Sequence, residues 1–260
     1  MNFLCQKEPL IELDTLHLSD RHSVLIEGPS GCGKTYLAMQ YAKMLNIEDF
    51  QIVSPKVDDI KSSIDTCLSL STPIVLCIEN LDTGVPAASY ALLKFLEEPL
   101  PNVYIIVTCR NLQQVPDTIV SRSAVVVTGP PVDVDLSTYA LSVNKNKFDE
   151  LHFAPIWECV RTFKDVDTVL NLTPEQITYF HELPSMCIFN DSVSNIVWKL
   201  GHYSDNTECP VELVVRCIMN IVGTDHVKRA GISCLNDLAI RRIAPHAVLA
   251  RFAFELKYCE

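Results

Sequence analysis

The stretch GPSGCGKT, Gly28 through Thr35, gathers flexible backbone, an amine and a hydroxyl into eight residues. It follows the pattern G-x-x-x-x-G-K-[ST], comes directly after the apolar run SVLIE and opens a helical pattern, which is the context this motif requires. Gly31 and Gly33 can take backbone angles that turn successive N–H groups toward phosphate oxygens, and the following helix adds its positive end. Pro29, Ser30 and Cys32 complete the loop, with Gly28 as its first residue. Lys34 would reach the β- and γ-phosphates of ATP, and Thr35 would hold Mg2+. A glycine-rich turn could merely join strand to helix, but the presence of both Lys34 and Thr35 favours a phosphate cradle. Such a cradle does not choose between kinases, GTPases, helicases and other ATPases.

Other residues bear on that choice. The run IVLCIEN (74–80) ends abruptly at Glu79 and Asn80, where a hydrolytic strand of this type delivers aspartate and then glutamate. Glu79 can still ligate Mg2+ or its waters, whereas an asparagine at position 80 cannot take a proton from an attacking water. The strand VYIIVTC ends near Thr108, whose hydroxyl suits a polar sensor of the γ-phosphate. Arg122 follows a loop and precedes AVVVT, so it can project from the domain edge. Glu97 and Glu98 close a helical pattern at the end where the macrodipole disfavours acids, by about 0.3–1 kcal/mol each. A local rule broken twice points to another job for that helix end.

The elements that must position these residues are legible as a pattern. SVLIE (23–27), IVLCIE (74–79), VYIIVTC (103–109) and AVVVT (124–128) alternate with helix-like periods at 35–45 and 87–98. Uninterrupted apolar strands with helical crossovers predict an α/β domain built on a doubly wound parallel sheet. After Gly129-Pro130-Pro131 helix signals take over. Thr173-Pro174-Glu175 places a capping hydroxyl before a proline at the first helical position. Val211, Val214, Val215, Ile218 and Val222 follow helical spacing, as do Val248, Leu249, Phe252, Ala253 and Leu256. The expected domains are 1–130 around the phosphate loop, a helical lid at 131–190 and a helical C-terminal region at 191–260.

Bulk composition narrows the class. A chain of 260 residues, 48% hydrophobic, can bury a substantial core, and a net charge of −11 argues against coating nucleic acid through its overall field. The eleven cysteines are scattered singly with no C-x-x-C pair, as buried thiols in a reducing cytoplasm would be. The start, MNFLCQKEPLIELD, makes a poor signal peptide, and no apolar run reaches the ~18 residues of a membrane span. A cytoplasmic protein without a membrane partner is expected.

Taken in order, IVLCIENLD (74–82), ALLKFLEEP (91–99) and DTIVSRS (117–123) resemble the clamp-loader branch of the AAA+ ATPases, most closely its bacterial DNA polymerase III delta-prime subunits. The likeness covers roughly residues 20–130, with Ser123 where the family usually has cysteine. It implies an AAA+ P-loop domain followed by a lid and a collar-like region, binding ATP and Mg2+. The implied partners are other loader subunits, a sliding clamp and, through the assembly, primer-template DNA. It further implies that Arg122 acts as an arginine finger on a neighbouring subunit, and that the LLKFLEEP helix end belongs to a subunit contact. Glu79 would stand at the metal-associated acid and Asn80 at the base, so the expected protein binds ATP and hydrolyses it slowly or not at all. A fully active motor, with Asp82 or a neighbour supplying the acid, is the alternative; an unrelated regulatory ATPase or nucleotide kinase would leave LLKFLEEP and SRS without a reason. The family's zinc module has no cysteine quartet here, so no zinc is expected. Arg161 is a candidate for the lid's sensor arginine, and Lys228, Arg229, Arg241, Arg242 and Arg251 make the tail locally basic. The short C-terminal region fits a trimmed, virus-encoded version working in a bacterial cytoplasm.

Overall fold

The computed structural model describes residues 7–17, 22–152, 154, 156–178, 180, 211–222, 224–239 and 245–258. The chain divides into two compact units, Met1–Asp135 and Leu136–Glu260.

The first unit is built on five parallel strands among its described residues: β1 (Ser23–Glu27), β2 (Asp49–Val53), β3 (Ile74–Ile78), β4 (Val103–Cys109) and β5 (Ala124–Val127). Their order across the sheet is β2-β3-β4-β1-β5. The register sets Ile26 opposite Thr108, Ile78 opposite Val107 and Val24 opposite Ala124. Because successive side chains point to opposite faces, β1 sends Val24 and Ile26 to one layer and Leu25 to the other. On the first face these residues join Val75, Cys77 and Ile106 and pack with α1 (Lys7–His17) and α2 (Lys34–Met44), through Leu13, Leu37, Ala38 and Tyr41. On the second, Leu25, Leu76, Ile78, Ile105 and Val107 meet α3 (Val57–Leu68), α4 (Pro86–Glu97) and α5 (Asp117–Val120), through Ile60, Ile64, Leu92 and Ile119. Each face receives its own apolar layer, so the central strands read as unbroken hydrophobic runs.

Two elements that the sequence pattern did not announce complete this unit. β2 is an edge strand whose residues alternate without a continuous apolar run, and Ile52 is half exposed, so periodicity alone does not reveal it. α1 buries Leu13 yet leaves Ile11 exposed, a narrow apolar stripe among charges.

The second unit is helical among its described residues. α6 (Asp133–Leu151) is interrupted at Asn144, where φ −154 and ψ 91 leave helical space. α7 (Phe163–Leu170) starts with a reciprocal capping box between Thr162 and Asp165. Thr173 caps the helix at 174–178, its hydroxyl accepting from the Gln176 amide while the Gln176 side chain returns to the Thr173 amide, so the capping expectation holds with glutamine as reciprocal partner. The helix Val211–Val222 buries Val211, Val214, Val215 and Ile218 as its spacing predicts, against Val166, Val169, Val248 and Phe252. Arg216 Nη1 on that helix pairs with Asp165 Oδ2 at 2.7 Å and ties it to the α7 cap. The expected lid boundary near 190 lies outside the described residues.

Free thiols line both units, and burial pushes Cys77 and Cys109 up to about 12 from the ordinary 9.0, helped by Glu79 near the first and Asp82 near the second. In the unfolded chain these thiols ionise near 9, so between about pH 9 and 12 the unfolded state binds fewer protons than the native one. Stability contributed by the neutral thiols is therefore complete below about pH 9 and falls as pH rises through that window. Urea unfolding midpoints should hold up to about pH 9 and drop as pH rises toward about 12, and a chain carrying Cys77→Ala with Cys109→Ala should show a shallower pH slope.

Candidate phosphate-binding site

The loop between β1 and α2 has the backbone that phosphate binding needs. Gly31 (φ 74) and Gly33 (φ 92) occupy the left-handed region, and Gly33 caps α2 with its carbonyl accepting from the Leu37 amide. Gly28 is required for a different reason: a Cβ there would lie 2.4 Å from Thr128 Cγ2 and 2.7 Å from the Thr128 carbonyl oxygen. The loop therefore leaves β1 flush against the end of β5. Its outer residues Pro29 and Ser30 are exposed, while Cys32 is fully buried and its thiol is pushed up by burial, against the pull of Lys34.

Lys34 is buried, and its ammonium donates to the carbonyl oxygens of Gly28 at 2.8 Å and Pro29 at 2.9 Å. A buried cation needs such acceptors, and here they belong to the loop that the lysine completes. Next to it, Thr35 Oγ1 donates to Glu79 Oε1 at 2.5 Å, bringing the hydroxyl of α2 and the carboxylate after β3 together. These two hard oxygen donors suit Mg2+, which binds through one or two protein ligands and takes its remaining ligands from water and substrate phosphates. Among the described residues no group of three or more His, Cys, Asp or Glu is placed to hold a metal by itself. The backbone cradle, the lysine and this oxygen pair fit Mg2+ with a nucleoside triphosphate.

Asn80 takes φ 49, ψ 53, a left-handed conformation outside glycine. Asparagine tolerates it better than most residues, for which the cost is roughly 1–2 kcal/mol. Its backbone N–H donates to Thr108 Oγ1 at 2.9 Å, and Thr108 is buried at the end of β4, the strand between β1 and β3. The Thr108 hydroxyl thus orients the chain just beyond Glu79 and keeps its own proton for another acceptor. Asp82, two residues on, accepts from the Arg110 amide through Oδ2 at 3.1 Å, while its Oδ1 is buried without a hydrogen-bond partner.

Lys34, Thr35, Glu79, Asn80 and Thr108 therefore meet where β1, β3 and β4 end. Arg122 does not join them. Ser123 pairs its hydroxyl with Ser23 at the start of β1, 2.8 Å away and buried, so Arg122 stands at the opposite edge of the sheet. Gly28 lies five positions beyond Ser23, about 16 Å of extended strand. Arg122 is exposed and donates to Glu97 Oε1 and to the Thr118 carbonyl, both at 2.9 Å. Sequence reasoning missed Ser23 and Thr128, because their partners lie a hundred residues away in the chain. Arg161, the lid candidate, donates to its neighbour's carbonyl at Val160. In the basic tail, Arg251 is engaged by Asp237 at 2.5 Å and Glu255 at 2.7 Å, and Arg241 and Arg242 lie outside the described residues.

A parallel sheet in this order, with a phosphate loop after the fourth strand across, defines a P-loop α/β protein of the AAA+ type. The fold resembles that of a DNA polymerase III gamma subunit-related protein from Thermotoga maritima, with a TM-score of 0.59 at 16% identity over 96% of this chain and 98% of that one. It also resembles a point mutant of Thermotoga maritima RuvB, with a TM-score of 0.51 at 14% identity over 94% of this chain and 80% of that one. At these identities the likeness concerns the fold. A 60-residue stretch is 37% identical to the oligosaccharides import ATP-binding protein MsmX of Bacillus subtilis, and this match spans 22% of the chain and only 16% of that protein. Residues 56–131 match the family described as DNA polymerase III, delta subunit.

Replacing Lys34 by alanine removes the ammonium and leaves the Gly28 and Pro29 carbonyls without their donor. ATP affinity, measured by calorimetry, should fall by at least about 2 kcal/mol, roughly thirtyfold.

Proposed function

We propose that this chain is an ATP-binding subunit of a sliding-clamp loader, that its own site hydrolyses ATP slowly or not at all, and that Arg122 acts on the nucleotide of a neighbouring subunit. The observation that carries the reading is the combination at the strand ends: a complete phosphate cradle, with Thr35 and Glu79 joined, beside an amide at position 80.

In this reading the backbone N–H groups around Gly31 and Gly33, with Lys34, hold the phosphates. Thr35 and Glu79 hold Mg2+, and Thr108 presents its hydroxyl proton toward the terminal phosphate. Bound ATP supplies the charged group that neighbouring subunits can test. Asn80 can orient a water through its side chain but cannot accept a proton from it, so the general-base contribution, typically 10^2–10^4-fold, is missing. The position of Arg122 at the far edge of the sheet supports action in trans, since an arginine there does not reach its own cradle. The partners are then other loader subunits and a sliding clamp, meeting primer-template DNA through the assembly in the cytoplasm of a bacterium or of a virus's bacterial host. No helix among the described residues is long and apolar enough to cross a membrane.

A second reading, a fully active motor, draws on Asp82, whose buried Oδ1 has no hydrogen-bond partner. In it Asp82→Asn abolishes turnover; in the first reading that change leaves the low single-turnover rate in place.

If Asn80 limits hydrolysis, Asn80→Asp, which keeps a side chain tolerated at positive φ, should raise single-turnover hydrolysis in the assembled loader. Asn80→Glu should raise it less, because the longer side chain meets the backbone cost at that position. An unchanged rate in both would refute the missing-base account. Arg122→Ala should leave this chain's own ATP affinity intact and lower turnover at the neighbouring site by about a thousandfold; an equal loss in the isolated chain would count against action in trans.

A further inference from the structure

Building on the reading of Arg122 as a trans-acting group, we propose that Glu97 is its positioning residue, holding the guanidinium in a fixed plane at the domain edge before a neighbour arrives. Glu97 is the last residue of α4, and its Oε1 accepts from Arg122 Nη2 at 2.9 Å. Nη1 is held at the same time by the Thr118 carbonyl at 2.9 Å. Two contacts on different nitrogens of a planar, rigid fork fix its orientation, which one contact would not. Arginine carries five N–H donors, so with two engaged three remain to meet an anionic group on another subunit. The backbone beneath is anchored as well: Ser123 is pinned to Ser23, and the Arg122 amide donates to the Ile119 carbonyl at 3.1 Å.

This accounts for an acid where the helix dipole opposes one. A carboxylate at the end of α4 is unfavourable for the helix alone, and the guanidinium charge offsets it. Left free, a solvent-facing arginine would lose its rotamer freedom on docking; held by Glu97 and Thr118, it has given up that freedom already. Side-chain exposures of 36% for Arg122 and 53% for Glu97 make the pair a weak constraint, so its effect is modest, and leave the fork open to a partner.

The test uses the assembled loader with Glu97→Ala, Glu97→Gln and Arg122→Ala, alone and combined. Glu97→Ala should lower kcat at the neighbouring site about two- to fivefold with KM for ATP unchanged. Glu97→Gln, which keeps an acceptor, should lose less, and in the Arg122→Ala background Glu97→Ala should have no further effect. In the isolated chain labelled with 15N-arginine, rotation about the Arg122 Nη bonds should be slow in the wild type and fast in Glu97→Ala. Unchanged or raised kcat in Glu97→Ala, or an equal loss in the Arg122→Ala background, overturns the inference and leaves the trans role standing. If Arg122→Ala itself leaves turnover unchanged, the trans role fails first and this inference falls with it.

Discussion

The parallel ladder joining β1, β4 and β3 is the constraint on which the site rests. It sets Ile26 opposite Thr108 and Ile78 opposite Val107, so the phosphate loop, the Thr108 hydroxyl and Glu79 emerge at one level of the sheet. A slip of one residue in any of these pairings would send each strand's inward set to the wrong layer, exchanging Leu76 and Ile78 with Val75 and Cys77. Burial on both faces therefore specifies the register, and the register specifies the chemistry. Gly28 adds a local requirement, because the contact with Thr128 leaves no room for a side chain where the loop begins.

The same ladder separates the phosphate loop from the Arg122 loop. The cradle lies at the ends of the strands, and the Arg122 loop lies at their beginnings, tied there by the Ser23–Ser123 pair. β1 carries the phosphate loop at one end and anchors the Arg122 loop at the other. A load on either end is borne by a strand buried on both faces, which transmits it with little give. Under the function proposed above, one stiff element would serve both tasks.

Much of this was legible in the sequence where chemistry and periodicity coincide. Gly31 and Gly33 of GPSGCGKT take the left-handed backbone expected of them, four of the five strands follow their apolar runs, and the Thr173 cap and the Val211–Val222 helix follow local rules. What escaped was set by tertiary partners. β2 borrows its strand character from pairing with β3, and nothing in DFQIV separates it from a loop. Ser123 reads as a departure from the family's cysteine until Ser23 is seen beside it, and Glu97 reads as a misplaced acid until Arg122 is. The left-handed backbone of Asn80 had a faint signal, since asparagine tolerates that conformation, but Thr108 had to be in place before it meant anything.

That backbone gives the amide at position 80 a bearing on how such a site can change over generations. The turn after β3 holds position 80 in a geometry that asparagine, aspartate and glycine accept and other side chains resist. The route from asparagine to aspartate stays level, while the route to glutamate climbs unless the turn after β3 is rebuilt as well. Single replacements at position 80 therefore face unequal terrain: a short carboxylate is reached at no backbone cost, whereas a long-armed one carries about 1–2 kcal/mol unless the turn shifts with it.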